Sequence, residues 1–134
     1  MTDRRFLIYQ GGFMRRKILV VEDYDDSRLF MKCMLEGYGY EVSEAVDGLE
    51  AIESFKQHFP DLILMDMAMP VMDGLTATRA IRKYPPGAET PIIAVTAHGK
   101  QFYQKAIEAG CNDLISKPVD FATLETMLYR FLGH

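Results

Sequence analysis

The sequence predicts an α/β chain: one five-stranded parallel sheet, doubly wound, with five helices on its two faces. Two observations carry this. First, Ile18-Leu19-Val20-Val21, Leu62-Ile63-Leu64-Met65 and Ile92-Ile93-Ala94-Val95 are short, unbroken aliphatic runs. Such runs suit strands buried on both faces, as in a parallel sheet. Second, helical patterns separate and follow them, so strand and helix alternate. Parallel strands need such crossovers.

The first strand is Ile18 to Val21, after Lys17. Ser27 to Gly37 then sets Phe30, Met34 and Leu35 at helical spacing, with Asp25 or Asp26 to cap the start and Gly37 to end it. Val42 seeds a weaker second strand around Glu41–Ala45. Leu49, Ile52, Phe55 and Phe59 form the stripe of a second helix that closes before Pro60. The third strand, Leu62 to Met65, leads into Asp66. Leu75, Thr78 and Ile81 mark a third helix, closed before Pro85-Pro86-Gly87. The fourth strand, Ile92 to Val95, leads into Thr96, and Phe102, Tyr103, Ala106 and Ile107 mark a helix ending at Gly110. Leu114-Ile115 seeds the fifth strand around Asp113–Ser116, followed by Lys117-Pro118. Phe121, Leu124, Met127, Leu128 and Phe131 make the cleanest stripe, with Asp120 as its cap. All these stripes are read as core packing. Five such units suggest the flavodoxin-like strand order 2-1-3-4-5, whose ligands sit outside the carboxyl ends of strands one and three.

The chain has 134 residues, 49% of them apolar and 25% charged, which suits one soluble domain and excludes a disordered chain. No apolar run approaches the roughly 18 residues of a membrane span. Charge is uneven: residues 1–17 hold five basic side chains against one acid, whereas residues 18–134 hold 10 basic and 18 acidic ones. That acidic body disfavours direct nucleic-acid binding and suits a cation or a basic partner. Residues 1–14 read as an N-terminal arm and residues 15–134 as the domain. Met14, just before Arg15-Arg16-Lys17, is an alternative natural start. Cys33 and Cys111 form no Cys-x-x-Cys pair and read as small buried or half-buried apolar residues, in keeping with a reducing cytoplasm.

This topology gathers the residues that follow each strand at one rim: Glu22 and Asp23, then Asp66, Thr96 and Lys117. Glu22, Asp23 and Asp66 should converge. Clustered carboxylates repel, so raised pKa values or a cation must compensate. An all-oxygen set favours a hard cation such as Mg2+ or Mn2+. A carboxylate nucleophile, a divalent cation, a lysine and a hydroxyl together suit phosphoryl transfer onto the carboxylate.

With these residues in place, the sequence resembles the receiver domain of two-component response regulators, of the stand-alone chemotaxis-regulator type, from Lys17 to about Leu132. The motifs are Val20-Val21-Glu22-Asp23, Asp66-x-x-Met69-Pro70-x-Met72-Asp73-Gly74, Val95-Thr96-Ala97 and Ser116-Lys117-Pro118. The resemblance implies that Asp66 takes a phosphoryl group from a sensor histidine kinase or a histidine phosphotransfer protein. It implies direct Mg2+ ligation by Asp23 and Asp66, Glu22 acting through a bound water, and the Ala68 carbonyl as a further ligand. Thr96 and Lys117 would contact the phosphoryl oxygens, while Pro70 and Gly74 shape the loop after the acceptor. The only catalysis implied acts on the chain itself, so it is not an enzyme in the usual sense. Output would pass to a downstream effector protein, as a monomer or a phosphorylation-dependent dimer. The docking face would be helix four, strand five and helix five, with Gln101, Gln104, Lys105 and Glu108 outermost on helix four.

Two positions depart from the usual pattern. Leu114 stands where many receivers carry a switching aromatic, which shifts the expected output to backbone and helix-four movement. Ala68 and His98 flank the attacking water's path in this family, and Ala68 offers it no polar group, which leaves the phosphoryl lifetime to His98. Rival readings fare worse. A flavin-binding relative would meet repulsion at Glu22-Asp23-Tyr24-Asp25-Asp26, and an aspartyl-phosphate phosphatase needs a second Asp where Ala68 stands. A pseudo-receiver that docks without phosphorylation is the remaining alternative.

Overall fold

The computed structural model describes residues 15–133, so the expected N-terminal arm lies outside the described residues. Five strands form one sheet in the order β2-β1-β3-β4-β5. They are β1 Lys17–Val21, β2 Glu41–Ala45, β3 Leu62–Asp66, β4 Ile92–Thr96 and β5 Asp113–Ser116. All four pairings are parallel, with Ile18 opposite both Val42 and Leu62, Asp66 opposite Val95, and Thr96 opposite Ser116. The described helices are α1 Asp25–Gly37, α2 Gly48–His58, α3 Gly74–Lys83, α4 Lys100–Ala109 and α5 Phe121–Leu132, with a 3-10 turn at Pro85–Gly87. Among the described residues, no helix is long and apolar enough to cross a membrane.

Because successive strand side chains point to opposite faces, the sheet divides the core in two. Ile18, Val20, Leu62, Leu64, Ile93, Val95 and Ile115 pack with Leu35 of α1 and Leu124, Leu128 and Leu132 of α5. Leu19, Val21, Ile63, Met65, Ile92 and Ala94 pack with Ala51 and Phe55 of α2, Ala77 and Ile81 of α3, and Ala106 of α4. β3 and β4 are buried along their whole length, which is why they read as unbroken aliphatic runs.

Several local expectations are corrected. Asp25 and Asp26 do not cap α1; they lie in its first turn, where carboxylates favour the helix dipole, and Tyr24 is the capping position without a side-chain hydrogen bond. α2 buries Ala51 and Phe55, whereas Leu49 and Phe59 are exposed. Phe59 adopts a left-handed conformation, with φ of 46°, after the helix ends at His58, and its exposed ring meets Phe55 edge to face, with centroids 6.0 Å apart. On α4, Tyr103 is exposed and Ala106 and Ala109 face the core. Cys33 is exposed, while Cys111 is buried beside the Thr78 hydroxyl. The expected cap at α5 is present: Asp120 accepts from the Ala122 amide at 3.2 Å and from the Thr123 hydroxyl at 2.7 Å. Gln101, Gln104, Lys105 and Glu108 are all exposed on α4.

Candidate functional site

Each chemistry-bearing residue ends or follows a strand, so the parallel sheet delivers all of them to its carboxyl rim. Glu22 follows β1 and its amide donates to Ala45 O at 3.0 Å, extending the pairing with β2 by one step. Asp66 is the last residue of β3 and only 3% exposed; the next amide, Met67 N, donates to Val95 O at 3.0 Å. Thr96 ends β4 and is 2% exposed. Lys117 follows β5, and its amide donates to Thr96 O at 2.8 Å.

The carboxylates converge. Oxygen atoms of Glu22, Asp23 and Asp66 lie within 4.8 Å of one another. Lys117 Nζ reaches between two of them, 3.0 Å from Glu22 Oε1 and 3.0 Å from Asp66 Oδ2. Burial alone would lower the Lys117 pKa, but the hydrogen bonds to Glu22 and Asp66 outweigh it and raise the ammonium above its ordinary value. Asp66 Oδ1 accepts from the Ala68 amide at 3.1 Å, and Glu22 Oε2 accepts from the Tyr24 amide at 3.0 Å. Asp23 is exposed and takes no hydrogen bond from the described residues. One ammonium among three carboxylates leaves the cluster net negative. An all-oxygen, net-negative set on a half-open rim fits a hard divalent cation.

Thr96 and His98 meet through backbone: the Thr96 hydroxyl accepts from the His98 amide at 3.1 Å. The His98 imidazole is exposed. Ala68 is likewise exposed on the loop after β3. That loop is tightly held. Met72 N donates to Pro70 O at 2.7 Å around Val71, whose φ is 67°, a conformation rarely taken by a β-branched residue. Met72 O in turn accepts from Gly48 N at 2.9 Å, tying the loop to α2. Gly74 then starts α3 directly beneath Asp66. A Cβ there would stand 2.3 Å from Asp66 O, so no larger residue fits. Asp73 caps this helix by accepting from the Thr76 amide at 2.8 Å. Leu114 is half-buried and packs on the α2–α4 side of the core.

An apolar cavity of about 260 Å³ lies beside the carboxylates on the α1–α5 side, lined by Val20, Leu64, Val95, Phe30, Met31 and Phe121 among others. Phe30 and Phe121 meet edge to face there, with centroids 5.3 Å apart. Sequence reasoning passed over one polar contributor, Arg28 of α1. Its guanidinium donates to Glu22 O at 2.9 Å and to Glu44 Oε1 of β2 at 3.3 Å. No local signal marks it, because its partners are set by how α1 packs against β2.

Comparison with known proteins agrees with this geometry. Residues 18–129 match the family model described as the response regulator receiver domain. The chain is 42% identical over 107 residues to the chemotaxis protein CheY of Bacillus subtilis, covering 78% of this chain and 88% of that one. It is similar to the solved receiver domain of a Pseudomonas aeruginosa sensor histidine kinase, with a TM-score of 0.84, 38% identity, and coverage of 90% of this chain and 100% of that one. That structure has a magnesium ion coordinated in its active-site cleft. A further match, with a TM-score of 0.81, 28% identity and coverage of 87% and 88%, comes from the Saccharomyces cerevisiae co-crystal of the phosphotransfer protein Ypd1 with the receiver domain of Ssk1.

Proposed function

The chain belongs to the response regulator receiver domain family of two-component signalling, and from that premise we propose that Asp66 is its phosphoacceptor. The observation that carries this is Asp66 itself: a carboxylate 3% exposed, ending the central strand, with Lys117 Nζ 3.0 Å from one oxygen and the other held by a backbone amide. An Asp66 carboxylate oxygen attacks the phosphorus of a phosphohistidine. The new O–P bond forms as the P–N bond breaks, and the imidazole nitrogen keeps the electron pair and takes a proton from solvent. Lys117 stays charged throughout and balances the phosphoryl oxygens, while the Thr96 hydroxyl turns to donate to one of them. Asp23, Asp66 and the Ala68 carbonyl would ligate Mg2+ or Mn2+, with Glu22 acting through a water. Bound there, the cation supplies charge neutralisation for the transferred group.

The donor is a sensor histidine kinase or a histidine phosphotransfer protein, a reading supported by the kinase-borne receiver and the Ypd1 co-crystal among the similar structures. The phosphorylated domain docks to a downstream effector in the cytoplasm. Half-buried Leu114 transmits no aromatic swing, so the change passes through the β4–α4 loop, where Lys117 N and His98 N both bond Thr96.

The test is Mg2+-dependent labelling with acetyl phosphate, read by intact mass. Wild type gains one phosphoryl adduct; Asp66→Ala and chelator-treated wild type gain none. Persistent labelling of Asp66→Ala would move the acceptor elsewhere, and no labelling even with a cognate kinase would favour a phosphorylation-independent docking module. On the same adduct, His98→Ala should speed hydrolysis severalfold by uncovering the water's approach. An unchanged decay rate would remove His98 from the account.

A further inference from the structure

The two acids at the end of β1 are joined by a single peptide unit, Glu22–Asp23, which Arg28 holds at its carbonyl while the amides on either side of it are anchored in turn. The Glu22 amide donates to Ala45 O of β2 at 3.0 Å. The Glu22 carbonyl accepts from Arg28 Nη1 at 2.9 Å. The following amide, Tyr24 N, donates back to Glu22 Oε2 at 3.0 Å. Because a peptide is planar, fixing the Glu22 oxygen fixes the plane from which the Asp23 Cα departs. The Asp23 side chain makes no hydrogen bond or ion pair with the described residues.

Arg28 is itself held in place. Its Nε donates to Glu44 Oε1 at 3.3 Å and its Nη2 to Asp25 Oδ1 at 2.7 Å, and its own amide donates to Tyr24 O at 3.0 Å. The side chain is only 15% exposed, although Asp25 is 86% exposed. The three donations leave in three directions from one planar fork, a geometry that an ammonium cannot reproduce. The Asp25 hydrogen bond also raises the Arg28 pKa, so the fork stays charged at every working pH.

We infer that Arg28 is a positioning residue for the cation site: it clamps the Glu22–Asp23 peptide to β2 through Glu44 and so holds Asp23 in its ligating orientation. The inference rests on the cation reading proposed above. It assigns the residue a role at a distance, since the guanidinium binds the backbone of the acidic loop and not the carboxylates of the cluster. Residues that orient ligands from behind typically change metal affinity by about 10- to 100-fold when removed.

Mg2+ titration by calorimetry, on the full chain without any phosphodonor, tests the clamp. Arg28→Met should weaken Mg2+ binding about tenfold or more. Arg28→Lys should recover only part of the loss, and Glu44→Ala should give an intermediate weakening. In metal-free protein, amide exchange at Tyr24 should quicken in Arg28→Met while the β3 and β4 amides keep their protection, which separates loosening of the loop from global destabilisation. Wild-type Mg2+ affinity in folded Arg28→Met overturns the clamp. Should that variant fail to fold, wild-type affinity in Glu44→Ala overturns it instead. Wild-type protein that binds no Mg2+ sinks the cation reading itself, whereas binding unaltered by the variants sinks only the role of Arg28.

Discussion

Lys117 is the residue on which the electrostatics of the rim turn. Its ammonium is the positive charge that bonds both Glu22 and Asp66, and its pKa is raised by those bonds against the opposing effect of burial. A raised folded-state value means that the ammonium contributes stability fully below the unfolded lysine pKa of about 10.4, and that this contribution is lost as pH rises through the folded value. In metal-free protein the urea midpoint of wild type should therefore exceed that of Lys117→Met by a constant margin from neutral pH up to about 10, and the margin should close above it. A gap that persists undiminished into stronger alkali would show that the lysine stabilises through its aliphatic stem instead. Asp66, Thr96 and Lys117 were legible as residues because a parallel sheet sends whatever follows each strand to one rim. Arg28 was not, because an arginine inside a helical pattern looks like any solvated charge until Glu44 and the Glu22 carbonyl are brought to it.

At the scale of elements, the strands were the easiest to read and the helix boundaries the hardest. Unbroken runs such as Leu62 to Met65 have one reading; a stripe such as Leu49, Ile52, Phe55 and Phe59 slips once Phe59 leaves the helix in a left-handed turn. The capping of α1 was misread for a related reason. Two consecutive acids both satisfy the composition of a cap, yet the chain enters the helix at Tyr24. The opposite rim of the sheet carries a tie invisible in sequence. Arg82 of α3 donates to Gly110 O at 2.9 Å, Gly87 O at 2.8 Å, Thr90 O at 2.6 Å and Asn112 Oδ1 at 2.8 Å. Asn112 Oδ1 also accepts from the first amide of β4, Ile92 N, at 2.9 Å. Four acceptors, from the 3-10 turn and the segments leading into β4 and β5, thus meet on one guanidinium, whose pKa is lowered by burial. Arg82→Met should cost about 3 kcal/mol in urea denaturation, because the acceptors it leaves are partly shut off from water. A loss below about 1 kcal/mol would mean that water replaces the guanidinium at little cost.

For the molecule as a whole, the doubly wound sheet and its order followed from alternation alone, and the structure reproduces it as β2-β1-β3-β4-β5. What alternation could not supply is which side chains of each helix face the sheet, since α2 buries Ala51 and α4 buries Ala109, which the hydrophobic stripes left out. The same order has a consequence for synthesis. Glu22 and the Lys117 ammonium that bonds it are separated by 95 positions in the chain. A nascent chain leaving the ribosome holds Glu22, Asp23 and Asp66 long before it holds Lys117 or the strand that places it. A product aborted within that interval lacks the ammonium that bonds Glu22 and Asp66 in the folded chain. The rim is thus completed late: only a chain translated past β5 can bring Lys117 to Glu22 and Asp66.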